Sequence, residues 1–194
     1  RVKEKVAPVI SITAPTADSY ITNATPTIKF TVTDADSGVN SGTIAMNLDG
    51  TAVTVTKTAI TGGYECSYKP TTALKDGSHT ISVTASDNDG NAASAKTATF
   101  TVDTVPPTLT ITAPAEGLVT NKTTITATGK TDDATSKPVT VTVNGAAATV
   151  GTDGFFSKDV TLTNGANKIT IIAKDKAGKT TTITRNVTLD TAAP

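Results

Sequence analysis

The chain has 194 residues, with 17 basic and 17 acidic side chains, 44 threonines, seven aromatic residues and no tryptophan. A formal charge of zero provides no basic patch, which excludes nucleic acid and anionic membrane surfaces as natural partners. The length suits one large or two small domains, and the abundant threonine and valine favour β structure, since β-branched side chains fit a pleated surface.

In the first half of the chain, apolar and polar residues alternate along short segments that are separated by turn residues such as Asp49-Gly50. The apolar positions are Ile10 and Ile12; Ile28, Phe30 and Val32; Ile44, Met46 and Leu48; Val53 and Val55; Tyr64, Cys66 and Tyr68; Ile81, Val83 and Ala85; Phe100 and Val102. Seven short alternating strands predict an antiparallel β-sandwich.

The second half of the chain shows the same two-residue period. Its apolar positions are Leu109 and Ile111; Ile125 and Ala127; Val139, Val141 and Val143; Ala148 and Val150; Phe156, Val160 and Leu162; Ile169, Ile171 and Ala173; Ile183, Val187 and Leu189. Asn144-Gly145 predicts a type I′ hairpin turn. Lys158 interrupts the alternation and predicts a bulge or an edge at that point.

The two halves are unequal copies of one plan. Residues 8–15 match residues 107–114, and residues 84–91 match residues 172–179. The offset between the copies shrinks towards their ends, so the second copy is shorter in its middle. We therefore expect two tandem domains of one architecture.

The domain boundary is expected near Thr104, with one domain over residues 1–104 and a second, shorter one over residues 105–194. Pro106-Pro107 predicts a short, stiff junction, because proline fixes φ and cannot continue a ladder. The last residues, 190–194, repeat a mid-chain segment, which is typical of a piece of a longer protein. No apolar run approaches the roughly 20 residues that cross a bilayer, so we expect no membrane insertion.

Local motifs carry a resemblance to a known family. The second half contains Val143-Asn-Gly145, Asp153-Gly-Phe-Phe156, Asn164-Gly-Ala-Asn167, Asp175-Lys-Ala-Gly178 and Leu189-Asp-Thr191; the first contains Leu48-Asp-Gly50, Leu74-Lys-Asp-Gly-Ser-His79, Ser86-Asp-Asn-Asp-Gly-Asn91 and Val102-Asp-Thr-Val-Pro-Pro107. The second half resembles the bacterial immunoglobulin-like (Ig-like) repeats of secreted and cell-surface proteins, and the first is similar to a sister class. The resemblance covers almost the whole chain and implies an all-β fold of two tandem Ig-like sandwiches.

The same resemblance implies an extracellular or bacterial cell-surface location and a modular role, because such repeats occur in adhesins, surface-layer proteins and accessory parts of polysaccharide-degrading enzymes. We expect a monomeric, non-catalytic spacer or stalk whose partners are neighbouring domains of the same polypeptide. Two alternatives stay open: an adhesive module that recognises a protein or glycan, and an accessory region of an extracellular polysaccharide-degrading enzyme.

Candidates for catalysis or sugar stacking are few. His79, the single histidine, opens a strand after a turn and is expected at the rim of the sandwich. Cys66 shares a face with core residues and is expected to be a small buried apolar group. Only Tyr20 and Phe155 lie outside the predicted cores, and one aromatic per domain does not make a sugar-stacking surface. We expect no catalytic residue.

Acidic loops predict a calcium site in the first domain. Asp34 and Asp36 follow the second predicted strand, whereas Asp87 and Asp89 precede the last one. In a sandwich of this type both loops lie at the end where the chain enters, so four carboxylates converge there. Calcium takes six to eight oxygen ligands from such groups.

The second domain offers Asp132, Asp133 and Asp175 at its equivalent end, with Asp103 in the linker before it. These residues predict a second calcium site that would stiffen the junction. Calcium is the single cofactor that the sequence indicates. The competing interpretation is that aspartate, asparagine and glycine lie in these loops because they form turns.

Overall fold

The computed structural model describes residues 2–3 and 5–192, and its regular elements are all β-strands. It divides into two compact units, Arg1–Asp103 and Thr104–Pro194, so that the boundary falls one residue before the expected one. Within the described residues, no helix has the length and hydropathy that a membrane span requires.

The first unit is a sandwich of two sheets. Its strands are β1 (Val9–Ala14), β2 (Ser19–Ile21), β3 (Ile28–Thr33), β4 (Val39–Leu48), β5 (Thr51–Val53), β6 (Thr56–Ile60), β7 (Gly63–Tyr68), β8 (Gly77–Asp87) and β9 (Lys96–Val102). One sheet has the order β1-β3-β7-β6 and the other the order β2-β9-β8-β4-β5. Phe30 from the first sheet and Met46 and Phe100 from the second are fully buried in one shared core.

The second unit has the same plan with one difference. Its strands are β10 (Thr108–Ala113), β11 (Leu118–Thr120), β12 (Thr124–Asp132), β13 (Thr140–Val143), β14 (Ala146–Val150), β15 (Phe155–Thr161), β16 (Gly165–Lys174) and β17 (Thr180–Leu189). Strand β14 pairs with both β13 and β15, which joins the two layers into one continuous sheet. Val141, Phe156 and Ile169 lie in its core.

The all-β sandwich predicted from the alternating pattern is confirmed, but the number of strands is larger than seven per unit. Among the described residues, β2, β6 and β11 are additional to the predicted set. Strands β2 and β11 have three residues each, too few to show an alternating pattern, and both pair in parallel with the last strand of their unit. Strand β6 is exposed at all five positions, so it carries no apolar face to detect.

Two local predictions in the second unit have different outcomes. The Asn144-Gly145 turn is confirmed, with φ of 49° and 81°, the positive values that a type I′ turn requires at both positions. The predicted bulge at Lys158 is wrong, since β15 pairs with β12 without a shift of register and Lys158 lies opposite Ala127. The alternative prediction for Lys158 was a sheet edge. It agrees with the other side of β15, where the pairing with β14 ends at Ser157 and does not include Lys158.

The chain crosses the first unit from one end to the other. Val9, at the start of β1, lies opposite Thr33 at the end of β3. Val102, at the end of β9, lies opposite Gly77 at the start of β8. Strand β8 then ends beside the loop that follows β3, because the backbone of Asn88 bonds to Gly38. We call the end where the chain enters the proximal pole and the opposite end the distal pole.

The second unit repeats this path. Thr108 pairs with Asp132, whereas the end of β17, Leu189, pairs with Gly165 at the start of β16. The N–H of Lys176, just after β16, donates to the carbonyl of Ser136 in the loop after β12 at 3.1 Å. The loops after β12 and β16 therefore share the proximal pole of this unit.

Candidate functional site at the poles of the sandwiches

Two acidic loops meet at the proximal pole of the first unit, as the sequence predicted. The backbone N–H of Asn88 donates to the carbonyl of Gly38 at 2.9 Å. The side-chain amide of Asn88 donates to the carbonyl of Ser37, also at 2.9 Å. The loops over residues 34–38 and 87–91 are therefore tied together by direct hydrogen bonds.

Two of the four predicted ligands in these loops act as turn formers. The Oδ1 atom of Asp34 accepts the N–H groups of Asp36 at 3.1 Å and Gly38 at 2.8 Å. Asp87 accepts the N–H of Asn91 at 2.7 Å and the Asn91 side-chain amide at 2.6 Å, one with each carboxylate oxygen. Both carboxylates are buried, and their hydrogen bonds fix the loops.

The environment of Asp87 favours its ionised form. Burial opposes ionisation, but hydrogen bonds from the side chain and backbone of Asn91 and from the backbone of Gly90 and Asp89 outweigh it and lower the pKa of this carboxyl. The remaining predicted ligands differ in burial, since Asp36 is exposed and Asp89 is half-buried. These four described residues do not provide three carboxylate oxygens close together, and calcium binding by them stays a prediction.

At the proximal pole of the second unit, Asp133 and Asp175 are brought together from two loops. Their carboxylates offer oxygen atoms within 4.8 Å of each other. Oδ1 of Asp133 accepts the N–H groups of Thr135 at 2.8 Å and Ser136 at 2.6 Å. Oδ1 of Asp175 accepts the N–H of Lys179 at 2.9 Å. Both side chains are thus held by backbone donors on one oxygen each.

This pair is buried, and so is Ser136, which lies in the same loop as Asp133. Asp133 is 6% exposed, Asp175 is 5% exposed and Ser136 is fully buried. Within the described residues, the Oδ2 atom of Asp175 and the Oγ atom of Ser136 have no hydrogen-bond partner. Ser136 was not among the residues predicted from the sequence, because a serine in a polar loop carries no signal of its burial.

The other two predicted ligands have different settings. Asp132 is exposed and lies 2.8 Å from Nζ of Lys137. The hydrogen bond from Lys137 and a second one from the backbone of Asp133 lower the pKa of Asp132. Burial acts in the opposite direction but has a smaller effect. Asp103 ends the first unit, where it is buried and its N–H donates to the carbonyl of Ile21 at 2.9 Å. A role of Asp103 in metal binding stays a prediction.

His79 lies near the start of β8 at the distal pole of the first unit, in agreement with the position expected for it at the rim, and it is buried there. Its Nδ1 lies 2.7 Å from Oδ2 of Asp49, and its Nε2 lies 2.8 Å from the carbonyl oxygen of Lys75. The ring also packs against Phe100, with 5.5 Å between ring centroids. Since both ring nitrogens face acceptors, this site suits a doubly protonated imidazolium that ties two loops together.

The environment of His79 raises its pKa, which agrees with a doubly protonated ring between two acceptors. Burial disfavours the charged ring, but the hydrogen bonds to Asp49 and to the Lys75 carbonyl, together with the negative charge of Asp49, raise the pKa of His79. Both nitrogens are engaged, which is the arrangement of a structural histidine. The partner Asp49 was identified from the sequence only as a turn residue.

Cys66 and Phe155 lie where the alternating pattern placed them, whereas Tyr20 lies in a strand that the pattern did not predict. Cys66 is fully buried, and burial is the main cause of the raised pKa of its thiol. Phe155 is exposed, with Nζ of Lys130 at 5.0 Å from its ring centroid. Tyr20 is half-buried in β2.

Comparison with protein families divides the chain in the same way. Residues 9–104 match the family model described as bacterial Ig-like domain, and residues 107–191 match the model described as glucodextranase, domain B. These two matches cover nearly all of both sandwiches.

Two curated proteins contain a similar segment. Bacillopeptidase F of Bacillus subtilis is 34% identical over 177 residues, which span 91% of this chain and 11% of that protein. Chitinase ChiA of Flavobacterium johnsoniae is 28% identical over 203 aligned positions, which span 96% of this chain and 13% of that protein. The chain therefore corresponds to a small part of each of these relatives.

Solved structures share the fold at low sequence identity. Fibronectin(III)-like modules of Clostridium thermocellum CbhA match over 94% of both chains, with a TM-score of 0.56 and 18% identity. An I-band fragment of titin matches 95% of this chain and 66% of its own, with a TM-score of 0.53 and 12% identity. These likenesses support the sandwich architecture alone.

Proposed function

Because residues 9–104 belong to the bacterial Ig-like domain family and residues 107–191 match domain B of glucodextranase, we propose that this chain is a non-catalytic spacer. It holds a functional domain of a longer extracellular protein away from the site where that protein is anchored. The Ig-like modules are its structural part, and the activity of the whole protein resides in other domains.

The observation that carries this proposal is the path of the chain through each sandwich. In the first unit, Val9 lies at the proximal pole and Val102 at the distal pole. In the second unit, Thr108 and Leu189 lie at opposite poles in the same way. A domain whose ends lie at opposite poles adds its own length to a chain of domains, whereas one with adjacent ends adds little.

The length that each unit adds follows from strand geometry. Strand β8 has 11 residues and runs from one pole to the other. At about 3.3 Å per residue, the path from pole to pole is roughly 35 Å. The two cores are separate, and each is filled by residues of its own unit.

The surface of the strands also suits a spacer. On β8, Ile81 and Val83 are buried, whereas Thr80 and Thr84 are exposed. Threonine maintains β propensity and solubility without charge, which limits attraction to charged neighbours.

The similarity to segments of Bacillopeptidase F and Chitinase ChiA favours one setting for this spacer, an extracellular hydrolase in which the Ig-like modules are accessory. The competing function is an adhesive module that binds a protein or a glycan through a pole or an exposed strand. The two functions predict different results when the modules are exchanged for unrelated ones.

The test replaces this segment within its full-length protein in three ways. The first variant lacks residues 1–194, the second carries a flexible Gly/Ser linker of equal residue number, and the third carries an unrelated Ig-like tandem of similar length. Activity or attachment is then measured on a soluble and on an insoluble or surface-bound target. For a spacer, we expect unchanged activity on the soluble target in all variants.

On the insoluble target, deletion of the spacer should reduce activity, and the unrelated tandem should restore it better than the flexible linker does. If the unrelated tandem fails while this chain, expressed alone, binds the target, the segment is a binding module and the spacer proposal is overturned. Equal activity of all variants on both targets also contradicts it.

A further inference from the structure

We infer that His79 is a pH-sensitive clamp at the distal pole of the first unit. With both ring nitrogens protonated, it holds the connection between β7 and β8 in place, and when the ring loses one proton it releases this connection. The connection comprises residues 69–76, between Tyr68 at the end of β7 and Gly77 at the start of β8.

The connection borders a cleft instead of lying on a fully packed surface. The cleft has a volume of about 420 Å³, and its apolar lining includes Leu48, Tyr68 and Leu74. The N–H of Leu74 donates to the carbonyl of Ala24 at 2.8 Å, and the carbonyl of the next residue, Lys75, faces Nε2 of His79 at 2.8 Å. A segment beside a cleft makes fewer packing contacts than a core strand, so its position depends more on such hydrogen bonds.

The two acceptors around the ring determine what happens when it loses a proton. A neutral imidazole has one N–H and one nitrogen with a lone pair. The carboxylate of Asp49, 2.7 Å from Nδ1, is charged and is the stronger acceptor, so the remaining proton stays on Nδ1. Nε2 then presents a lone pair to the carbonyl of Lys75 inside a buried site, where two acceptors repel each other. Loss of the proton therefore breaks the bond to the connection.

The ring is the group around this cleft that titrates near neutral pH. Histidine is the side chain whose ordinary pKa, about 6.5, lies in that range. Burial disfavours the charged ring, but the hydrogen bonds to Asp49 and to the Lys75 carbonyl raise the pKa of His79, so the clamp opens above the ordinary value. Among the described residues, the neighbouring elements contribute the uncharged ring of Phe100 on β9 and the following ionisable side chains: Asp49, Tyr68, Lys69, Lys75 and Asp76.

The second unit contains the same turn without the clamp. Asn144 occupies the position of Asp49, and its Oδ1 accepts the N–H of Thr170 at 2.8 Å, the distance at which Asp49 accepts the N–H of Thr80. The residue before Thr170 is Ile169, which does not titrate. Asparagine thus fits this turn, and the second unit is a control within the same chain.

The test follows the whole chain by NMR between about pH 5.5 and 9, a range centred on the titration of histidine. The nitrogen shifts of the His79 ring report its charge and its tautomer. Amide hydrogen exchange, corrected for the intrinsic effect of pH, reports opening of the connection. As the ring loses its proton, we expect the protection of the Leu74 amide to fall at least tenfold. The amides in the middle of β8 and that of Thr170 should lose much less.

Asp49→Asn is the variant that separates the clamp from other effects of pH. Its Oδ1 still accepts the N–H of Thr80, while its amide donates to Nδ1 of His79. The neutral ring then carries its proton on Nε2 and keeps the bond to Lys75. We therefore expect the connection of this variant to stay closed at high pH, with protection of the Leu74 amide constant within about twofold once the effect of pH on exchange is removed.

Four results would overturn the inference. One is a ring that titrates while the protection of Leu74 stays the same, and another is a ring that stays doubly protonated throughout the range. A third is a neutral ring in the parent chain with its proton on Nε2. The last is a loss of protection that is equally large in Asp49→Asn or in the middle of β8, which would indicate a cause other than the clamp.

Discussion

The Nδ1 atom of His79 lies 2.7 Å from Oδ2 of Asp49, while Oδ1 of the same carboxylate accepts the N–H of Thr80 at 2.8 Å. Asp49 is the first residue of the turn between β4 and β5, so this carboxylate links that turn to the start of β8. The second ring nitrogen binds Lys75, in the connection before β8. One side chain thus secures two connections at the distal pole of the first unit.

This relationship predicts a pH dependence of stability in the first unit. The pKa of His79 is higher in the folded than in the unfolded chain, so its contribution is fully present below the unfolded value, about 6.5, and is lost as pH rises through the folded pKa. The measurement is the free energy of unfolding from urea titrations between pH 5.5 and 8.5. The slope from this residue is at most about 1.4 kcal/mol per pH unit, the limit for one proton.

His79→Gln is the comparison for that experiment, because glutamine packs in a similar volume and does not titrate in this range. We expect the difference in stability between the parent and His79→Gln to shrink as the pH rises above 6.5. A difference that is constant across the range would show that the ring contributes only by packing on Phe100.

Because the pKa of Asp87 is lowered in the folded state, we expect the first unit to lose stability at acidic pH. Its pKa is lowered in the folded state, so its contribution is present above the unfolded value near 3.9 and is lost as pH falls through the folded pKa. We expect Asp87→Ala to lower the melting temperature of the first unit by several degrees at pH 7 and by less at pH 3. Asp36→Ala, at an exposed position of the neighbouring loop, should change it little at either pH.

We expect replacement by alanine to cost much more stability at Phe156 than at the neighbouring Phe155. Phe156 lies in the core of the second unit, whereas Phe155 is 55% exposed. Phe156→Ala should destabilise the second unit by about 3 to 5 kcal/mol, the usual range for removing a buried phenylalanine ring. Phe155→Ala should lose less than about 1 kcal/mol, since only a contact with Lys130 and surface area are removed.

Chemical denaturation followed by circular dichroism measures both variants. Similar losses of stability would mean that the face of β15 has been assigned incorrectly.

We expect the reactivity of the Cys66 thiol to report on unfolding of the first unit. It is fully buried in β7, and burial raises its pKa, so the reactive thiolate is both rare and inaccessible. The native chain should react with a thiol reagent such as DTNB at least a hundredfold more slowly than the urea-unfolded chain. Thr61→Cys places a second thiol at an exposed turn and should react at once, which calibrates the assay. Rapid modification of the parent would contradict the burial of Cys66.

Much of the fold could be predicted from patterns among residues that are close together in the sequence. Alternation with a period of two determines which side chains of a strand face the core, and it identified Phe30, Cys66, Phe100 and Phe156 as buried. The turn at Asn144-Gly145 is equally local, because positive φ is a property of those two residues. The convergence of the acidic loops at one pole followed from the order of the strands.

The features that depend on distant neighbours could not be determined in this way. Strand β2 exists because Ser19–Ile21 pairs in parallel with β9, about 80 residues later in the chain, and three residues contain no period of their own. Lys158 breaks the pattern without breaking the register, since a long side chain can lie half-buried at a core-facing position with its amine reaching outwards.

Dependence on distant neighbours also explains why the sequence could locate the acidic residues but could not predict their burial or their hydrogen-bond partners. The sequence alone determined that Asp133 and Asp175 lie in loops at one pole. Only the tertiary structure decided that Asp132 faces solvent and Lys137, that Ser136 is buried beside the carboxylates, and that His79 is enclosed by Asp49 and Lys75. Burial and hydrogen-bond partners depend on which loops fold over a residue, and that arrangement is a property of the packed sandwich rather than of any local stretch of chain.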